Sequence, residues 1–247
     1  MHPALLEVEH RPWSLPSAPW VLRQSWLELA FLHWAVPVSA VRSLVPPGLE
    51  VQEREGSTWI GVVPFRMHGV MARGLPDVPG VSAFWELNVR LYVARDGKPG
   101  VWFLSLDASN ELAVWGGRTL FHLPYFRASV RAQTEGDATA YTSLRAGPVP
   151  ARYQARHRPL GEEYRAAPGS LDHWLTERYC LYAATPSGAL QRTEVHHAPW
   201  PLRRGEVEIV ENTLLDAHGI RLSGAPLCHV TRGVDVVTWW PRRCGVG

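Results

Sequence analysis

Between Ser82 and Asp107, two long segments flank a turn, and their residues follow the alternating pattern of a β-strand. This pattern constrains the fold more than any other feature. The turn occupies residues 96–100, Asp-Gly-Lys-Pro-Gly, a composition typical of tight connections between strands. In the first arm, every second residue from 85 to 93 is apolar. The other face carries Phe84, Glu86, Asn88, Arg90 and Tyr92. The segment is therefore predicted to be a β-hairpin with one wholly apolar face and one mixed face.

The rest of the chain predicts many strands and few helices. Helices are expected at 37–44, 110–121 and 171–177, and Ser109 or Asn110, with Asp107 nearby, is expected to cap the second. Strands are expected at 24–36, 49–53, 58–70, 125–134, 139–145, 151–157, 178–184, 190–197, 207–211 and 228–237. A sheet of so many strands has to close or double up to protect its edges. The predicted fold is mainly β (β-rich α+β): a closed or conical antiparallel β-barrel with a central cavity and a few peripheral helices.

Composition narrows the class of protein and of partner. The 247 residues are 46% hydrophobic and 19% charged, which suits one compact domain over 1–247, with the proline-interrupted residues 1–20 as an irregular N-terminal arm. A formal charge of +2 favours neither a nucleic acid nor a membrane as partner, so a small molecule is expected. Three widely spaced cysteines and no long apolar run predict a cytoplasmic protein with reduced thiols.

Common catalytic motifs are missing: the sequence has no GxGxxG, Walker A, HExxH or GxSxG pattern. His196 and His197 are adjacent, but neighbours in a strand face opposite sides, so both cannot bind one ion. His196 shares a face with Glu194, although a histidine hydrogen-bonded within the sheet explains it more simply. Neither a cofactor nor a metal is expected.

The segment from Gly117 to Phe126 resembles the acetoacetate decarboxylase pattern, in which Gly-Arg-x-Leu is followed, after three residues, by Pro-Lys-Lys. In that family the first lysine forms a Schiff base and the second lowers its pKa, because a neighbouring cation favours the neutral amine. Here the last three residues are Pro124, Tyr125 and Phe126, which cannot form an imine. Lys98, the one lysine of the chain, is expected in an exposed turn with its amine protonated. Acetoacetate decarboxylase activity is therefore not expected.

An ordered set of motifs is similar to the YqjF-like branch of the acetoacetate decarboxylase-like superfamily, a group of uncharacterised bacterial proteins with a domain of unknown function. The motifs are Phe-Leu-His-Trp (31–34), Leu-Val-Pro-Pro-Gly-Leu (44–49), Val-Pro-Phe-Arg-Met (63–67), Phe-Trp-Glu-Leu-Asn-Val-Arg (84–90) and His-Ala-Pro-Trp-Pro-Leu (197–202). The resemblance covers about Trp26 to Asp235. It implies a cone-shaped β-barrel around a cavity, and it also allows a homo-oligomer, because superfamily members often associate.

The resemblance also suggests the site. It brings the cavity glutamate of the family close to Glu86 and its lysine to Tyr125, and we predict both to be catalytic: Glu86 as a proton carrier and Tyr125 as a hydrogen-bond donor. The predicted ligand-binding residues are His33, Arg66, Asn88, Arg90 and His196. Simpler alternatives are a solvent-facing strand for Glu86, a volume-filling ring for Tyr125 and a core histidine for His33. Arg178 is expected to form a structural ion pair.

Two hypotheses of function follow. In the first, the chain is a lysine-independent enzyme acting on a small carbonyl or carboxylate compound, with Glu86 transferring a proton. In the second, it is a non-catalytic barrel that binds a small, partly apolar molecule in a central cavity. A role in protein interaction is a third possibility, which an exposed aromatic patch would favour.

Overall fold

A computed structural model describes residues 2–76 and 82–245. Its strands, in chain order, are β1 (Leu22–Val36), β2 (Glu50–Val51), β3 (Thr58–Ala72), β4 (Phe84–Arg95), β5 (Lys98–Ala108), β6 (Tyr125–Arg127), β7 (Ser129–Glu135), β8 (Ala138–Arg145), β9 (Ala151–Tyr164), β10 (Cys180–Ala184), β11 (Leu190–His197), β12 (Leu202–Asn212), β13 (Leu227–Thr238) and β14 (Arg242–Arg243). The helices within this part of the chain are α1 (Val38–Val41), α2 (Glu111–Leu120) and α3 (Leu171–Thr176), with 3-10 turns at Pro3–Leu5, Arg42–Leu44 and Asp216–His218. The mainly β class predicted from the alternation is confirmed.

Seven strands form a closed ring. Neighbours pair in the order β11, β10, β5, β4, β3, β1 and β13, and β13 then pairs with β11 through Val195↔Thr238, His196↔Val237 and His197↔Val236. The remaining long strands, β12, β9, β8 and β7, extend the sheet from β13, where β12 pairs with residues 229–231 and β11 with residues 236–238. Closure protects the edges of the ring strands, as a large sheet requires.

The extension covers the outer face of the ring. Leu87, Val89 and Leu91 of β4 are fully buried in the same cluster as Tyr141 of β8 and Tyr153 of β9. Since successive residues of a strand face opposite sides, burying these three aliphatic side chains outward turns the alternate residues of β4 inward.

Two pairings depart from the antiparallel pattern. β5 runs parallel to β10 and to β6, which follow one another along the same edge of β5. Helix α2 connects β5 to β6, and a crossover of this kind returns the chain in the same direction. Residues 125–134, predicted as one strand, are accordingly divided at Ala128: β6 pairs with β5, whereas β7 pairs with β8.

Helices α2 and α3 lie at opposite ends of the ring. The Asn110 side chain accepts a hydrogen bond from the Ala113 amide at 3.0 Å and so caps α2, as predicted. The amide of Ser109, just before α2, bonds to the carbonyl of Trp85 at the start of β4. Trp174 of α3 instead packs on Tyr92 near the other end of β4, with ring centroids 5.0 Å apart. None of the helices within the described ranges combines the length and apolarity that a membrane crossing requires.

Residues 2–20 pack against the ring near β11. The buried guanidinium of Arg11 forms an ion pair with Glu194, and the Trp13 indole donates to the same carboxylate at 2.7 Å. Lys98, predicted in an exposed turn, is half-buried here: its Nζ lies 3.6 Å from Glu194 Oε1 and 5.3 Å from the Trp13 ring centre. The N-terminal residues cover this lysine, which the sequence pattern did not reveal.

Candidate functional site

The ring encloses a cavity of about 380 Å³. Four alternate residues of β4 line it: Phe84, Glu86, Asn88 and Arg90. The cavity opens beneath α2, because Leu112 and Leu120 of this helix line it and are 59% and 47% exposed. At the other end, α3 closes the ring, and Thr176 and Arg178 there are both buried and part of the lining. Position along β4 therefore measures depth, with Phe84 near the mouth and Arg90 about 20 Å deeper by strand rise.

Glu86 and Tyr125 meet about a third of the way from the mouth to Arg90, because Glu86 is two residues from Phe84 and four from Arg90 along β4. Both are buried, and the Tyr125 phenol donates a hydrogen bond of 2.9 Å to Glu86 Oε2. Burial raises the pKa of the Glu86 carboxyl to about 8, which the hydrogen bond from Tyr125 only partly offsets and the charge of Asp107 increases. Burial also raises the pKa of Tyr125 well above its ordinary value. At neutral pH the pair is therefore a protonated carboxyl and a neutral phenol.

The backbone of this pair is held from outside the cavity. Arg118 Nε of α2 donates to the carbonyl of Tyr125 at 2.7 Å, and the Tyr141 hydroxyl donates to the carbonyl of Glu86 at 2.8 Å. Gly117 of α2 lies so close to the Tyr125 ring that a Cβ there would overlap it. These contacts fix the positions from which the two side chains enter the cavity.

Asp107, which was predicted only to stand near the cap of α2, lies 2.9 Å from Arg145 Nε in a buried ion pair between β5 and β8. Burial raises its pKa to about 6, against the opposing effect of Arg145. The sequence does not show that Arg145 reaches Asp107 from the covering strands, so this ion pair was not predicted.

Arg90 and Arg178 both line the closed end of the cavity. Arg178 was predicted to form an ion pair with a carboxylate, and this is wrong: Nη1 donates to Gln52 Oε1 at 2.6 Å and Nε to the Trp174 carbonyl at 2.8 Å. Burial lowers its pKa to about 10, and the charge of Arg90 contributes in the same direction. Arg178 therefore remains a cation at neutral pH.

His33 lies beyond the cavity lining, on the same face of β1 as Phe31. Its Nε2 is 2.6 Å from the Tyr92 hydroxyl, and the side chain is buried. Burial, followed by the charge of Arg90, lowers its pKa well below 6.5. The imidazole is therefore neutral and packs behind the arginine end of the cavity.

Arg66 and His196 lie away from Glu86. Arg66 stands between the lining residues Phe65 and Met67, so its side chain turns outward, where Nη1 is 3.4 Å from Glu28 Oε1. His196 Nε2 is 3.1 Å from the carbonyl of Glu7. The structure thus groups Glu86, Asn88, Arg90 and Tyr125 in one cavity and leaves Arg66, His33 and His196 outside its lining.

Several polar side chains of the lining were not selected from the sequence; they include Gln24, Thr176, Arg178, Thr193, His197 and Thr238. His197 faces the cavity, on the other side of β11 from His196. Its Nδ1 lies 2.8 Å from the Ala198 carbonyl, and burial lowers its pKa to about 4. The alternation of β11 gave a signal for His197, because the neighbour of an outward residue faces inward.

A metal site is not formed by the part of the chain that the structure describes: no group of three or more His, Cys, Asp or Glu side chains there could hold an ion. The polar groups of the cavity include a protonated carboxyl, a phenol, two guanidinium groups, an imidazole, amides and hydroxyls.

The fold is that of acetoacetate decarboxylase-like proteins. The chain aligns with an acetoacetate decarboxylase-like enzyme from Sphingomonas wittichii RW1 at a TM-score of 0.67, with 12% identity and coverage of 93% of this chain and 95% of that one. It aligns with acetoacetate decarboxylase from Legionella pneumophila at a TM-score of 0.61, with 16% identity and coverage of 95% and 91%.

Within this fold class, the chain belongs to the DUF2071 family, described as an uncharacterized conserved protein, whose profile matches residues 23–235. It is also 46% identical over 231 residues to the uncharacterized protein YqjF of Bacillus subtilis, covering 93% of this chain and 95% of YqjF. The resemblance identified from the motifs is confirmed.

Proposed function

We propose that the chain is a lysine-independent enzyme that moves a proton on a small carbonyl or carboxylate compound, with Glu86 as the proton carrier. The observation that carries this proposal is a protonated carboxyl, with its pKa near 8, inside a cavity and 2.9 Å from a phenol. A general acid works best when its pKa lies near the operating pH. Tyr125 supplies the hydrogen bond that an oxygen needs as it gains negative charge.

The ketonisation of an enol illustrates the step. Glu86 gives its proton to the carbon of the C=C bond, whose electron pair forms the new C–H bond, while the enol oxygen forms C=O. The hydroxyl proton of the enol then passes to the Glu86 carboxylate, which restores the acid. Once the substrate is bound, Tyr125 turns its one hydroxyl proton from Glu86 to this oxygen. The reverse reaction starts from the Glu86 carboxylate, and either direction leaves the protein unchanged.

Schiff-base chemistry is not part of the proposal. Tyr125 and Phe126 stand at the lysine positions of the decarboxylase pattern, and Lys98 is paired with Glu194 outside the cavity lining. The reaction we propose therefore needs no covalent intermediate with the protein.

A second candidate function is a non-catalytic binding barrel. It is favoured by the largely apolar lining, which includes Trp26, Phe31, Phe65, Leu106 and Trp200. In that case Glu86 and Tyr125 would be a satisfied buried pair that orients a ligand. A cytoplasmic setting is proposed for either function, supported by the free thiols of Cys180, Cys228 and Cys244.

Deuterium exchange distinguishes the two. The protein is incubated in D₂O with a panel of 2-oxo and 3-oxo acids, and NMR follows loss of the protons next to each carbonyl. An enzyme accelerates exchange of at least one compound, and Glu86→Gln abolishes the acceleration. The matched control is Glu208→Gln, which makes the same substitution at an exposed position of β12 and should exchange at the wild-type rate. Binding of a panel member without accelerated exchange would support the binding barrel instead.

A further inference from the structure

The closed end of the cavity holds two buried cations with unused donors. Arg90 and Arg178 are 8% and 7% exposed. Nε and Nη2 of Arg90 and Nη2 of Arg178 are buried and have no hydrogen-bond partner within residues 2–76 and 82–245. Oδ1 of Asn88, which is two residues nearer the mouth on β4, is likewise buried and without a hydrogen-bond partner among the described residues. Guanidinium groups otherwise find partners when they are buried, because an unpaired buried charge is costly.

Among the residues that the structure describes, no carboxylate side chain forms an ion pair with either arginine. Arg178 bonds to an amide and a backbone carbonyl, both uncharged. Arg90 lies over the rings of Phe31 and Tyr92, at 5.2 and 5.7 Å from their centres. Glu86 is protonated at neutral pH because burial raises its pKa to about 8. A guanidinium keeps its charge in proteins, so the site offers two positive charges to an anion.

The opposite part of the cavity is apolar. Between mid-depth and the mouth the wall is built from Trp26, Phe65, Met67, Val70 and Phe84. Three exposed apolar residues of the lining stand at the mouth: Leu112 (59%), Leu120 (47%) and Trp240 (52%). Trp115, on the same helix as the two leucines, is 62% exposed. A cavity of about 380 Å³ lies in the range of roughly 300–1,000 Å³ typical of sites for drug-sized ligands. It has room for more than a few carbon atoms.

We infer that the ligand is an amphipathic monocarboxylic acid. Its carboxylate binds Arg90 and Arg178 at the closed end, and its apolar chain runs past Glu86 and Tyr125 to the mouth beneath α2. The planar fork of a guanidinium matches a carboxylate, and two forks fix its orientation. The inference names the ligand class of the site proposed above and rests on that cavity being the ligand site, but it does not require turnover.

Intrinsic tryptophan fluorescence tests the inference, because Trp26, Trp200 and Trp240 line the cavity. The probes are butanoate, octanoate and decanoate, with 1-octanol and octylamine as uncharged and cationic analogues. Octanoate should bind at least about tenfold more tightly than 1-octanol, as expected for charge-assisted hydrogen bonds, and octylamine should not bind. Affinity should rise by roughly fourfold for each CH₂ added from butanoate to octanoate, because the added groups are buried against the apolar wall of the cavity.

Variants assign the head-group site. Arg90→Met and Arg178→Met should each remove most of the preference for octanoate over 1-octanol. Arg232→Met, which removes a charge from a side chain that is 88% exposed, should keep it. Glu86→Gln should also retain octanoate binding, so loss of the proposed catalysis and loss of the anion site give different results.

Equal affinity of the wild-type protein for octanoate and 1-octanol would overturn the inference, as would a preference that survives in both arginine variants. Absence of binding by every acid would overturn it too, and affinity that does not depend on chain length would overturn the apolar part. If Arg178→Met fails to fold because it also loses the bonds to Gln52 and Trp174, the wild-type comparison and Arg90→Met still decide.

Discussion

The phenol of Tyr125 donates a hydrogen bond to the carboxyl of Glu86 across the width of a whole strand. β4 and β6 pair with opposite edges of β5, where Ala108 stands opposite Glu86 and Leu106 opposite Tyr125. The two backbones are thus about 10 Å apart, two strand spacings, and only the side chains close the gap inside the ring. The bond therefore depends on the register of β6 on β5, because pairing with the lining residue Leu106 places Tyr125 on the cavity side.

The pH dependence of stability should report the protonated state of Glu86. Burial raises its pKa from the ordinary value of 4.5 to about 8, so the folded chain binds this proton more tightly than the unfolded chain. The contribution is favourable below about pH 4.5 and is lost as the pH rises towards 8, by at most about 1.4 kcal/mol per pH unit. Glu86→Gln removes this dependence.

Urea unfolding at pH 5, 6.5 and 8 measures the effect as a difference in unfolding free energy between variant and wild type. The contributions of the titrating histidines, which both proteins share, then cancel. Glu86→Gln should gain free energy of unfolding relative to wild type as the pH rises, whereas Glu208→Gln should follow the wild-type curve. Parallel curves for wild type and Glu86→Gln would contradict a raised pKa at Glu86.

Tyr125→Phe should raise the pKa of Glu86 further, because the hydrogen bond from the phenol is the interaction that lowers it. Loss of one buried hydrogen bond should also cost about 1 kcal/mol of unfolding free energy. Carboxyl ¹³C NMR of labelled Glu86 measures the titration directly. Tyr141→Phe is a matched control, since its hydroxyl bonds to the Glu86 backbone; it should lose stability without an upward shift. An unchanged titration in Tyr125→Phe would show that the phenol does not govern Glu86.

Borohydride reduction in the presence of acetoacetate should leave the protein without an adduct on Lys98. Its Nζ lies beside Glu194 and above Trp13, outside the lining of the cavity, so a keto acid bound in the cavity does not reach it. Peptide mapping by mass spectrometry checks this, with an intact lysine-dependent acetoacetate decarboxylase as the positive control. A reduced adduct on Lys98 would mean that the chain retains Schiff-base chemistry at an unexpected position.

Local patterns predicted most of the strands, because alternation is a property of each segment by itself. The mixed and apolar faces of 84–93 both follow from that alternation, and the structure buries the apolar one under β8 and β9. The closure of β13 on β11 and the split at Ala128 were not predictable in this way. Both depend on which distant strand is chosen as partner, and alternation does not record the partner.

The candidate site was accessible from the sequence only in part. Glu86, Asn88 and Arg90 were selected because they share one strand face, and Tyr125 because of the motif resemblance. Arg178 was assigned to a structural ion pair, since it lies between α3 and β10 and its direction depends on how α3 docks on Tyr92. The arginine end of the cavity is therefore a product of tertiary packing rather than of a sequence pattern.

Two adjacent glycines of α2 offer a test of how Tyr125 is positioned. A Cβ at Gly117 would overlap the Tyr125 ring, whereas a Cβ at Gly116 would meet nothing within 4 Å. Gly117→Ala should therefore displace the ring from Glu86, cost about 1–3 kcal/mol of unfolding free energy and reduce any deuterium-exchange activity. Gly116→Ala should instead stabilise the helix by about 0.5–1 kcal/mol and leave the activity intact. Urea unfolding and the exchange assay measure both effects, and equal behaviour of the two variants would show that the contact between α2 and Tyr125 does not position the phenol.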